Sequence, residues 1–171
     1  MHIPHSLGSF AGAALLVATT VLTLPAIAIE LGQAAPTFEL PGQSGNVRLA
    51  DLRGKLVYVD FWASWCGPCK QSFPWMSDMQ TRYAPRGLQI VAINVDVKPA
   101  DAAAFLRASA PAFAVAFDQA GLMPKAYGVK AMPSSYLVAP DGKVLRLHSG
   151  FRESDRAELE AAIVQALPVR E

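Results

Sequence analysis

Cysteine is almost missing from this chain. Of 171 residues only two are cysteine, and both lie in Cys66-Gly67-Pro68-Cys69. No further thiol exists for a disulfide-stapled scaffold, or for the four-ligand shell of a structural zinc. Histidine is scarce too: there are three, and His148 is the only one after residue 28. A lone strand histidine reads as surface or packing rather than as a ligand, so no metal site is expected. Charge is also low, at 17% charged residues and a net charge of +1. That leaves no electrostatic footprint for nucleic acid or acidic membrane, and partners are expected to be recognised by shape and apolar contact.

The sharpest local absence is at the N-terminus, where residues 7 to 29 carry no charge. The apolar run through Leu15-Leu16-Val17 to Val21-Leu22 ends at Pro25, and Ala26-Ile27-Ala28 is an A-x-A cleavage pattern. Residues 1–28 are therefore expected to be a signal peptide and residues 29–171 the mature domain. The leader carries His2 and His5 where Lys or Arg is usual. An uncleaved anchor is the rival reading, since a run of this length could span a bilayer of ~30 Å. Either reading places the domain outside the cytoplasm, in the periplasm.

At 52% hydrophobic, the remainder suits a packed globule. Residues 35–40 alternate and read as a short strand, at an edge because of Pro36. Pro41-Gly42 and Ser44-Gly45-Asn46 supply turn chemistry, and residues 47–49 return as a second strand. Leu56-Val57-Tyr58-Val59-Asp60-Phe61-Trp62 reads as a central strand covered on both faces. A helix after the cysteines carries Phe73, Met76, Met79 or Gln80, and Tyr83 on one side; Pro74 should kink it. Residues 88–95 read as another central strand. A helix over residues 100–109 buries Phe105 and Leu106, and a short strand covers residues 113–117. A broken helical turn surrounds Pro124. Two strands, residues 135–138 and 144–148, flank the Asp141-Gly142 turn. Ser154 is expected to cap a final helix that buries Leu159, Ile163 and Leu167. The order β-β, β-α-β-α-β, α-β-β-α requires parallel pairing in the middle and antiparallel pairing at the end. An α/β fold follows, with a mixed sheet between helices.

Two thiols at the mouth of a helix suit thiol–disulfide exchange. Only a thiolate attacks a disulfide, and a free thiol with pKa ~8.5 is mostly protonated at neutral pH. At the strand-to-helix junction, unpaired N–H groups and the positive helix end face Cys66 and favour its anion. Cys69, one turn deeper, is expected to be less exposed and to resolve the mixed disulfide. Gly67 permits close approach of a substrate, and Pro68 fits a first helical turn. Asp60 lies in the buried strand six positions before Cys66, where burial should raise its pKa and suit it to take a proton from Cys69. The bland alternative is a hydrogen-bonded polar residue at a sheet end. Trp62 reads as core or groove, and Trp65 as an apolar rim for a polypeptide substrate.

The stretch from Val59 to Lys70, with Pro74, closely resembles the active-site segment of thioredoxin. Met132-Pro133 before residues 135–138 resembles that family's cis-proline loop, which implies that Met132 and Pro133 sit beside Cys66 and pair with substrate; Gly150 matches a further glycine. Residues 35–40, 49–55 and 97–117 resemble the opening hairpin and inserted helix and strand of the exported TlpA/ResA branch. The resemblance implies a thioredoxin-like mixed β-sheet flanked by helices, with an N-terminal β-hairpin and an inserted αβ element. It also implies an exported thiol:disulfide oxidoreductase without a cofactor, acting on disulfide-bearing exported proteins. Electrons would come from a membrane-embedded thiol donor, with cytochrome c assembly, copper-site assembly or general thiol maintenance as the purpose. Where thioredoxin commonly has a lysine near its buried aspartate, this chain has Ala92. A copper or haem metallochaperone using the same dithiol is the alternative; a peroxidase is disfavoured by the context of the cysteines.

Overall fold

Burial on both faces decides the centre of the sheet. In the computed structural model, which describes residue 2 and residues 29–168, all seven residues of β3 (Leu56–Trp62) are buried. In β4 (Leu88–Asn94) six of seven are. These strands pair in parallel from Leu56 against Leu88 to Trp62 against Asn94. β5 (Ala114–Phe117) continues the parallel run beside β4. On the other side of β3, β6 (Ser134–Val138) and then β7 (Val144–Ser149) are antiparallel. The hairpin of β1 (Glu39–Gly42) and β2 (Gly45–Arg48) joins through β1 against β5. One seven-stranded sheet results, in the order β2-β1-β5-β4-β3-β6-β7.

Alternation along β3 splits the core in two. Leu56, Tyr58 and Trp62 meet Phe73, Met76 and Met79 of α1 (Gly67–Tyr83), Ala102 and Leu106 of α2 (Pro99–Ser109), and Leu159 and Ile163 of α4 (Arg156–Ala166). Val57, Val59 and Phe61 face Tyr127, Tyr136 and Phe38, with Met123 of the short α3 (Leu122–Ala126) packed alongside. Trp62 is fully buried and meets Phe73 edge-on at 4.8 Å and Phe105 at a tilt at 4.7 Å. Its role is core packing.

The thioredoxin-like fold class expected from the sequence is the one observed, and several local expectations are corrected. Pro36 lies ahead of β1, which is an interior strand; β2 takes the edge. Pro41 and Gly42 belong to β1 itself, and the reversal falls at Gln43-Ser44, closed by Gly42 opposite Gly45. Gly45 supplies the positive φ of +116° that this tight reversal demands. In α2 the buried pair is Ala102 and Leu106, while Phe105 is half-buried at the helix edge. Ser154 does not cap α4. The Asp155 carboxylate accepts from the Arg152 backbone N–H at 2.8 Å instead, closing a short 3-10 turn ahead of the helix. Apart from residue 2 the expected leader lies outside the described residues, among which no helix is long and apolar enough to cross a membrane.

Candidate active site at the end of β3

β3 stops at Trp62, and residues 63–66 turn the chain into α1. Cys66 is the residue just before the first helical turn, with extended backbone (φ −81°, ψ 108°), and Pro68 falls within that turn. Proline lacks an N–H, and at this position that costs nothing. Cys66 and Cys69 are joined in a disulfide, with S–S 2.04 Å and Cα–Cα 5.3 Å. The Cys69 backbone N–H donates to the Cys66 sulfur at 3.2 Å. An otherwise unpaired N–H of the helix start thus aims at the Cys66 sulfur, an arrangement that favours negative charge there when the pair is open. Cys66 is 4% exposed and Cys69 fully buried, the order expected from their places in the helix.

Asp60 lies two residues before the end of β3 and is 2% exposed. Its Oδ2 is buried with no hydrogen-bond partner. Burial alone holds the carboxyl well above the usual carboxylate range. Its cross-strand neighbours are Ala92 on β4 and Ser135 on β6. No cation comes from β4, as the alanine implied. Tyr58, on the same face, is likewise pushed up, first by burial and then by the charge of Asp60.

The Met132–Pro133 bond is cis. Register places it at this end of the sheet, because Ser134 pairs with Phe61 near the end of β3. Pro133 is buried, its carbonyl accepts from the Gly150 N–H at 2.7 Å, and Met132 packs against the cluster that holds both cysteines. Gly67 and Pro68 are exposed, and nothing stands within 4 Å of where a Gly67 Cβ would be. Trp65 is 71% exposed beside the buried Cys66, and Val97 is 81% exposed on the loop after β4.

The structure adds a group that sequence reasoning missed. Asp96 is 3% exposed and accepts from the Ser64 N–H at 3.0 Å, from the Ser64 hydroxyl at 3.0 Å and from the Asn94 amide at 2.8 Å. It clamps the loop that carries Trp65 and Cys66 to the end of β4. The only signal in sequence is a polar pair, Asn94 and Asp96, at the end of an apolar strand. His148 lies on β7 opposite Ser135, with its Nε2 3.4 Å from Asp155. Among the described residues no three of His, Cys, Asp and Glu gather as a metal site.

Comparison with known proteins agrees with this geometry. A family model described as the AhpC/TSA family matches residues 31–146. The thiol-disulfide oxidoreductase ResA of Bacillus thuringiensis subsp. konkukian is 33% identical over 141 residues, covering 82% of this chain and 80% of that protein. ResA of Bacillus subtilis is 35% identical over 123 residues, covering 71% and 69%. A crystal structure described as a thiol:disulfide interchange protein DsbE from Chlorobium tepidum is 52% identical, with a TM-score of 0.81, covering 82% of this chain and all of that one. The chain therefore belongs to the AhpC/TSA family, as a thioredoxin-like thiol-disulfide oxidoreductase.

Proposed function

We propose that this protein is an exported reductase of protein disulfides, with Cys66 as nucleophile, Cys69 as resolving thiol and Asp60 as proton acceptor. The observation that carries the reading is the Cys69 N–H directed at the Cys66 sulfur, with Cys69 itself sealed in the core. In the reduced protein the Cys66 thiolate attacks one sulfur of the target disulfide. That S–S bond breaks, one target thiolate leaves, and a Cys66–target disulfide forms. Asp60 takes the Cys69 proton, and the Cys69 thiolate attacks the Cys66 sulfur. The second target thiol is released, and the Cys66–Cys69 bond closes as it stands in the structure. Two electrons have passed to the target, so a thiol donor must reopen the pair; a membrane-embedded donor fits an exported enzyme.

Trp65, Gly67, Pro68, Met132 and Pro133 form the proposed contact surface for an extended segment of the target. The apolar rim and low charge favour a polypeptide over a charged small molecule. Proteins awaiting haem attachment, copper-site proteins, or misoxidised secreted proteins are the proposed substrates. The leader, residues 1–28, directs export to the periplasm, where its retention would hold the enzyme at the membrane.

Cys69→Ser should stall the cycle at the mixed disulfide, and mass spectrometry of the captured species names the substrate. The direction of flow is read by equilibrating the pair with glutathione. A potential near the thioredoxin value of ~−270 mV supports reduction, whereas one above ~−150 mV would mean that the protein donates disulfides.

A further inference from the structure

The row of side chains crossing the sheet at Asp60 contains a mismatch that the proposed cycle leaves unused. Of the two residues opposite Asp60, Ala92 offers no polar atom and Ser135 offers a hydroxyl. Tyr58 donates its hydroxyl to Ser135 Oγ at 2.8 Å in a buried bond. Its ring lies edge-on against Trp75 at 5.9 Å, which fixes where that hydroxyl points. Ser135 therefore accepts from Tyr58, and among the described residues its own hydrogen goes to no partner. Asp60 Oδ2 is buried and receives no donor. One hydroxyl hydrogen without an acceptor thus neighbours one carboxyl oxygen without a donor. Opposed side chains on adjacent antiparallel strands lie about 5 Å apart at Cβ, so a turn of the Asp60 carboxyl about its own side-chain torsions brings the two together while Ser135 Oγ stays on Tyr58.

We propose that Ser135, aimed by Tyr58, is the positioning residue that receives the Asp60 carboxylate when Asp60 is ionised. The hydroxyl swings its hydrogen to Oδ2 while Tyr58 keeps donating to Oγ. Two neutral donors in series then do what no cation from β4 does, since Ala92 stands opposite Asp60 there. The gap beside them, lined by Tyr58, Ser135, Arg146 and His148, amounts to about 10 Å³. That is the lower bound for one water. The other groups in this layer are Trp62 on β3, Cys69 and Trp75 on α1, and Arg146 and His148 on β7. Arg146 is engaged by Glu158, and His148 faces Asp155. The indole nitrogens of Trp62 and Trp75, with Arg146 Nε and His148 Nε2, are buried without acceptors and are the competing donors.

The functional meaning of this arrangement rests on Asp60 exchanging a proton during turnover, and the test separates the two claims. With the disulfide closed no thiol titrates, so the Asp60 side-chain carbonyl carbon is followed by NMR against pH. Ser135→Ala should raise the Asp60 midpoint by about one pH unit or more, the worth of a hydrogen bond to an ionised group. Tyr58→Phe, which keeps the ring and its packing, should raise it by a smaller amount, and Ser135→Thr should restore it. If Ser135→Ala proves unfolded, Tyr58→Phe alone decides. Midpoints that stay within about 0.3 units of the parent, or that move in Trp62→Phe or Trp75→Phe instead, overturn the assignment. If the midpoints shift as expected while Asp60→Asn reduces disulfides at the parent rate, the positioning stands and the proton role of Asp60 falls.

Discussion

Asp60→Asn is expected to stabilise the oxidised protein by an amount that grows with pH. The carboxyl is 2% exposed, its Oδ2 has no donor, and burial holds its pKa well above the ordinary range. Below about pH 4 the side chain is neutral in both folded and unfolded chains, so the difference between Asp and Asn hardly varies with pH. Above that, the unfolded chain has lost the proton while the folded chain keeps it. The unfolded state then binds fewer protons, and stability falls as pH rises, by about 1.4 kcal/mol per pH unit. The fall ends at the folded pKa, where both states are ionised and the curve levels. Asparagine has no such slope. In a chain of this size 1 kcal/mol corresponds to roughly 2–4 °C in Tm, so the gap between variant and parent should widen by about 3–6 °C per pH unit. Thermal unfolding of both proteins from pH 4 to 9, disulfide closed, measures it; all other titrating groups are shared and cancel. The pH at which widening stops reads the folded pKa directly. A gap that stays constant across this range refutes the reasoning, because a carboxyl with no pH-dependent penalty is not the isolated buried acid described here. In the reduced enzyme the same substitution should slow disulfide reduction.

Three further outcomes follow from the packing. Asp96→Ala strands the Ser64 N–H and hydroxyl and the Asn94 amide; urea titration should show a loss of about 1–3 kcal/mol with an unchanged m-value. Met76 is fully buried against α1's side of the sheet, so Met76→Ala should cost about 2–5 kcal/mol in the same assay. Gly142 has φ +87°, and a Cβ there would run into the Arg53 guanidinium, which donates to the Asp141 carbonyl. Gly142→Ala should cost about 1–2 kcal/mol for the left-handed backbone alone, and adding Arg53→Ala should recover only the part due to the collision.

What could be read from the sequence divides along a physical line. β3, α1 and the Asp141-Gly142 turn were legible because their causes are local: an unbroken apolar run, apolar residues three to four apart, and a glycine where φ is positive. The β1 and β2 bounds differ from the sequence reading because distant contacts set them, and the start of α4 differs because two neighbouring residues compete for one local bond. β1 extends to Gly42 because Ala116 of β5 pairs with it there. At α4, Asp155 rather than Ser154 receives the Arg152 N–H, a choice between two adjacent capping residues that propensity does not make. Half-burial of Phe105 likewise depends on how α2 sits against Trp62 and Phe73, not on its own periodicity.

The contrast between Asp60 and Asp96 carries this furthest. Both carboxylates are almost fully buried, at 2% and 3% exposure, and both sit in or just after an apolar strand. In sequence they look equivalent. Asp96 has three donor groups directed at it, two of them from Ser64, thirty-two positions away in the chain. Those bonds compensate its burial and turn it into an anchor for the loop that presents Cys66. Asp60 Oδ2 has none, so burial disfavours the charged form of this carboxyl and suits it to hold a proton and give it up in the proposed cycle. Equal burial with unequal hydrogen bonding therefore assigns one acid to holding the loop and the other, in the proposed cycle, to moving the proton. If the Asp60 carbon titrated in the ordinary carboxylate range, that division of labour would have no physical basis.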